Sequence, residues 1–131
     1  MRGRTRTSPS GPSTAAADDA VVTKAALRAA TRLGLSNRAL SRILGLSEAS
    51  VSRMGAGTYT LARRDKSFDL AVLFVRLFRS LDAIVAGDEA AARAWLVSHN
   101  AGLNGVPAQL IESLPGLVNV VAYLDARRAL I

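Results

Sequence analysis

The side chains able to do chemistry in this chain are mainly cations, and they are unevenly placed. Residues 1–66 hold twelve Lys and Arg against four Asp and Glu, and residues 67–131 hold five against six, so the formal net charge of +7 sits in one half. Guanidinium and ammonium groups gathered on one stretch attract phosphate, which points to a nucleic-acid face there and a different task for the rest. Groups for covalent or acid–base chemistry are scarce by contrast. His99 is the single histidine, and with no acidic pair or nucleophile elbow beside it, it reads as a capping or surface residue. The absence of cysteine excludes a disulfide framework, a thiolate zinc site and a cysteine nucleophile together. No stretch has metal-ligand spacing or a phosphate-cradling glycine loop, so no enzyme activity, metal or cofactor is expected.

Ser36 to Met54, SNRALSRILGLSEASVSRM, supplies a frame for the cations. It has the layout of a helix-turn-helix, in which two helices cross through a short turn that wants almost no side chain, while apolar residues lock the crossing. Gly45 takes the turn, Leu40, Leu44, Leu46, Val51 and Met54 take the packed places, and Ser41 stands where alanine is commonest. Glu48 to Met54 is then the recognition helix, with Ser47, Glu48, Ala49, Ser52 and Arg53 facing base edges. Arg53 is the long donor suited to bidentate contact with guanine, worth about 1–3 kcal/mol of discrimination, and Ser47, Ser50 and Ser52 reach phosphates or bases. Glu48 suits the positive end of the helix dipole but repels phosphate, so it accepts from a cytosine amine or serves only as a helix starter. Arg38, Arg42, Arg63, Arg64 and Lys66 flank the motif as neutralisers of the DNA backbone.

The elements that must position these groups are helices. Hydrophobic residues make up 50% of the chain and aromatics only 5%, so Leu, Val, Ile and Ala must fill the interior, a composition that favours an all-α fold. Residues 1–17, rich in Ser, Thr, Pro and Gly with Arg2, Arg4 and Arg6, read as a disordered basic leader, either simply solvated, the commoner case, or reaching into a DNA groove. Asp18 or Asp19 caps a helix that Gly34 ends, and residues 18–66 form the helix-turn-helix domain. Residues 67–131 then comprise a long helix, Ser67 to Val85, and a small helical domain behind it, with Asp88 capping one helix and Pro107 opening another. Because a helix-turn-helix reads two half-sites through a twofold, Phe68 to Val85 is also the expected dimerisation helix. Asp69, Arg76, Arg79 and Asp82 interrupt that stretch, so nothing approaches the ~20 apolar residues of a membrane span. The leader lacks the apolar segment of a secretory signal and the amphipathic character of an organelle transit peptide, which leaves a bacterial cytoplasmic location as the expectation.

The last third carries a fixed order of residues: Trp95-Leu96, Asn100, Leu103, Gly105, Pro107, Leu110-Ile111, Gly116-Leu117, Val120 and Tyr123-Leu124. Gly105 and Pro107 bracket a tight reversal, Asn100 and Asn104 hydrogen-bond the loop, and the apolar residues are core. This order resembles the toxin-binding domain of the Xre/MbcA/ParS family of bacterial antitoxins, over about Leu70 to Ile131, with the helix-turn-helix upstream as in Xre-type members. The resemblance implies a protein that neutralises a RES-domain toxin, an enzyme acting on NAD, by covering its cleft with a C-terminal segment, and that binds operator DNA to repress its own operon. Mapped onto this chain, the blocking residues are Tyr123, Asp125, Arg127, Arg128, Leu130 and Ile131. Asp125 and the Ile131 carboxylate would pair with the toxin's phosphate-binding cations, and Arg127 and Arg128 with its acidic groups. The alternative is a dimeric helix-turn-helix transcriptional regulator with no toxin partner, in which Arg127 and Arg128 serve only the last carbonyls of their own helix.

Overall fold

Local capping chemistry sets most of the helix starts. The computed structural model describes the backbone of residues 10–131 and the side chains of residues 15–131, and among these it contains seven helices and no strand. They are α1 (Ser10–Arg32), α2 (Asn37–Leu44), α3 (Glu48–Ala56), α4 (Lys66–Ile84), α5 (Glu89–Val97), α6 (Pro107–Leu110) and α7 (Leu114–Arg128). Ser36 caps α2 by accepting from the Ala39 amide, and Ser47 caps α3 through the Ser50 amide, both at 3.1 Å. Asp88 does the same for α5 from Ala91. Ser113 caps α7 through the Gly116 amide at 3.2 Å, so that helix begins at Leu114 with Pro115 in its first turn.

The start of α1 is the main departure. It begins at Ser10, so residues 10–17, expected within a disordered leader, are helical. Ala15, Ala16 and Ala17 are the strongest of helix formers, and Pro12 falls in the first turn, where its missing N–H has no helical partner anyway. The leader from Met1 to Pro9 lies outside the described residues. Asp18 and Asp19 consequently sit inside α1 rather than at its cap, and both approach Arg63.

α4 is the central post, packed by α1 on one side and α7 on the other. Its deepest residues are Phe74, Leu77, Ala71 and Leu81, whereas Val72 is 44% exposed. Two neighbours on opposite flanks demand a broad buried arc, and it leaves the Val72 edge outside. α1 runs beside α4 in the same direction: Asp18 lies by Arg63, which covers the Phe68 ring, and Arg32 lies over Phe78 nearer the other end. The segment between α3 and α4 is pinned to α1 by Thr23, whose buried hydroxyl donates to the Asp19 carbonyl at 2.7 Å and accepts from the Leu61 amide at 3.0 Å. At the far end Arg93 of α5 donates to the carbonyls of Arg32 and Thr31, partners for the last turn of α1 that the helix itself does not supply. One apolar cluster runs through both halves of the chain.

Candidate functional site

The helix-turn-helix forms as its apolar spacing requires. Gly45 turns the chain with φ of 68°, a region open to glycine at little cost, and Leu40, Leu44, Val51 and Met54 are buried between α2 and α3. Ser41 is buried too, and its hydroxyl donates to the Arg38 carbonyl at 2.7 Å, so a serine fits where alanine is usual without leaving an unpaired group. The cap Ser47 and, on α3, Glu48, Ala49, Ser52 and Arg53 are all exposed, and Ser50 is half-buried. The Ser47 hydroxyl donates to Ser50 Oγ at 3.0 Å, and Arg53 Nη2 donates to the same oxygen at 3.2 Å. The Arg53 side chain therefore bends back along its own helix in the free protein.

The flanking cations divide into two groups. Arg38, Arg64 and Lys66 are exposed and have no acidic partner among the described residues. Arg42 lies 3.7 Å from Glu112, at the junction of α6 and α7, and Arg63 lies 2.8 Å from Asp18. Arg63 thus ties the segment before α4 to α1, a structural use that the spacing of charges along the chain did not reveal. Arg28 of α1 borders a surface hollow of about 540 Å³ with Asn37 and Gly55. That position brings it beside the start of α2 and the end of α3; its repeat with Lys24 at four residues was the available signal.

The C-terminal candidates do not form one face. Tyr123 and Arg127 look toward α5: Trp95 and Tyr123 are stacked at 6.3 Å, and the Arg127 guanidinium lies 4.7 Å above the Tyr123 ring. Asp125 and Arg128 look toward α4. Asp125 accepts from Arg76 at 2.6 Å and from the buried Ser80 hydroxyl at 2.7 Å, while Arg128 Nη1 reaches Ser80 Oγ at 3.4 Å. Asp125, expected to meet a cation of another protein, is engaged by an internal one in the free chain, because α7 sets positions 125 and 128 against α4. Leu130 and Ile131, beyond α7, are 84% and 75% exposed.

The loop beneath Tyr123 is closed on itself. Asn100 and Gly105 exchange backbone hydrogen bonds at 2.8 and 3.2 Å, and Asn100 Oδ1 accepts from the Leu103 amide. Asn104 serves through its backbone, with φ of 55° in a region that asparagine tolerates. A feature absent from the sequence reading is the outer face of α7, where Leu114, Val118, Ala122 and Ala126 repeat at four residues and are all exposed. The run carries no charge. A shallow hollow of about 780 Å³ lies along it, bounded also by Leu110 and Asn119. The i, i+4 spacing of these residues was visible, but which face of α7 is covered depends on where α4 lies.

A helix-turn-helix with unpaired cations, joined through a shared core to helices with a bare uncharged face, defines a DNA-binding protein with a second docking end. Residues 13–76 match the antitoxin Xre-like helix-turn-helix domain, and residues 80–129 match the antitoxin Xre/MbcA/ParS C-terminal toxin-binding domain. The chain belongs to the Xre/MbcA/ParS antitoxins. Both matches break within α4, the helix that belongs to both packing halves. No curated protein sequence matches the chain. Neither matched family is an enzyme, and the two together imply DNA and a toxin as partners. Among the described residues no helix is long and apolar enough to cross a membrane.

Proposed function

We propose that this antitoxin neutralises a RES-domain toxin in the bacterial cytoplasm by laying its C-terminal segment over the toxin's NAD-binding cleft, and that as a homodimer it binds operator DNA and represses its own operon. The RES assignment rests on the residue order from Trp95 to Leu124 and its resemblance to Xre partners of such toxins. The observation that carries the blocking role is the stack of Arg127 on Tyr123 and Tyr123 on Trp95. A guanidinium held on a ring that is itself stacked on Trp95 gives up less freedom on binding than a loose one, and it presents a fixed cation to an acidic group in the toxin. Leu130 and Ile131 add exposed apolar surface next to it, and the Leu114, Val118, Ala122 and Ala126 face extends the contact along α7. Asp125 and Arg128 hold α7 in place rather than enter the cleft.

Co-expression with the product of the adjacent reading frame tests this directly. The expected result is a stable complex with a RES-domain protein, cellular NAD preserved, and protection lost when Arg127→Glu is combined with Leu130→Asp while operator binding is retained. A neighbouring RES protein that depletes NAD whether or not this chain is present would sink the proposal.

A further inference from the structure

The homodimer proposed above has a specific face available to it. Along the outer edge of α4, Asp69, Val72, Arg76, Arg79 and Ala83 recur at alternating three and four residues, the spacing of a helix seam. Asp69, Val72, Arg76 and Arg79 are exposed. Beside this edge, Val72, Val75 and Arg79 of α4 border a groove of about 400 Å³ with Val21, Val22 and Ala25 of α1, and Val21 is 63% exposed. α1 and α4 run in the same direction, so the surface has a polarity: the carboxylate of Asp69 at one end, valines in the middle, and Arg76, Arg79 and Arg128 at the other. Arg76 is engaged by Asp125 and Arg128 reaches Ser80, whereas neither Asp69 nor Arg79 has a charged partner among the described residues.

We infer that this α1–α4 face binds a second copy of the chain, with the two α4 helices antiparallel and crossing at the level of Phe74. Asp69 and Arg79 lie equally far in sequence on either side of Phe74, as do Val72 and Arg76. Antiparallel pairing at that level sets Asp69 of each copy against Arg79 of the other, twice, about 15 Å apart by the helical rise, and closes the two valine grooves over each other. Val72 meets the aliphatic stem of Arg76 from the second copy, whose head stays with its own Asp125. Parallel pairing would oppose Asp69 to Asp69 and Arg79 to Arg79, so the charges select one direction. A wholly acidic or wholly basic partner would satisfy only one end of the face, which favours the second copy over an unrelated protein as its occupant.

The full-length chain tests this by light scattering coupled to gel filtration over a range of concentrations, with circular dichroism as the check on folding. Asp69→Arg alone and Arg79→Asp alone each place like charges together, and each should raise the dimer dissociation constant by at least about tenfold. The chain carrying both exchanges opposes unlike charges again and should return to within about threefold of the original, since the coupling is between the two positions. Dimers in all three variants would leave the homodimer reading standing and remove this face. Single variants that dissociate, with no recovery in the double exchange, would overturn the antiparallel register. A wild-type monomer at every concentration would end both the homodimer reading and this interface. Loss of toxin binding with dimerisation intact would assign the groove to the toxin and overturn the inference.

Discussion

Arg76 of α4 donates to Asp125 of α7 across 2.6 Å, and the buried Ser80 hydroxyl donates to the other oxygen of the same carboxylate across 2.7 Å. The ion pair alone is partly exposed at its Arg76 end and contributes little by itself. The hydroxyl matters more, because it is sealed from water and Asp125 is its acceptor. Asp125→Ala strands that hydroxyl and should cost about 1–3 kcal/mol in urea unfolding, whereas Ser80→Ala removes the need and should cost less. The double substitution should therefore fall short of the sum of the two singles. Additive losses would show that the carboxylate does not hold α7 through Ser80.

Gly116 sits where α7 leaves the turn below α6. A Cβ there would be driven into the backbone carbonyl oxygen of Leu110 and would crowd the capping Ser113 hydroxyl. Backbone cannot step aside as a side-chain tip can. Gly116→Ala should cost on the order of 2–3 kcal/mol, in the upper part of the range for overpacking, and shift α7 enough to weaken toxin binding. An unchanged melting temperature would mean that the Leu110 turn relaxes freely.

The helix-turn-helix was readable in the sequence because its determinants act over three or four residues: Ser36 and Ser47 cap the amides three places on, and Gly45 needs only its own backbone. The loop of Asn100 to Gly105 was legible for the same reason. What stayed hidden joins residues 45 apart in the chain, Arg63 with Asp18 and Ser80 with Asp125. Neither partner announces the other until α1 and α7 are packed on α4. The surplus of cations in the first half was plain, but the subset already engaged was not. The candidate tail divided between two faces for a similar reason: consecutive charged residues on one helix point apart, and only the position of α4 says which point inward.

This division of cations gives unequal salt dependence. Arg64 and Lys66 are unpaired among the described residues, so replacing either with Ala should reduce the slope of log affinity against log salt by ~0.9 for operator binding, provided it contacts a phosphate. Arg63→Ala should change the slope less and lower stability instead, since it releases Asp18 and uncovers the Phe68 ring. Equal slopes for wild type, Arg64→Ala and Lys66→Ala would take both residues out of the DNA interface.

The braced Arg127 makes a prediction that separates position from charge. Tyr123→Leu keeps an apolar side chain against Trp95 and removes the ring beneath the guanidinium, which then samples several rotamers. Gly102 packs against that ring edge, so some loss of order in the loop follows as well. Toxin affinity should fall about twofold to tenfold, the cost of about 0.5–1.5 kcal/mol for fixing a loose arginine on binding. Tyr123→Phe retains the ring and should bind as the wild type does. Arg127→Lys keeps the charge but loses the planar fork, and it should lose affinity despite its sign. Calorimetric titration of the three variants with the toxin would read all of these, and a Tyr123→Leu protein as tight as Tyr123→Phe would mean that the ring does not position Arg127.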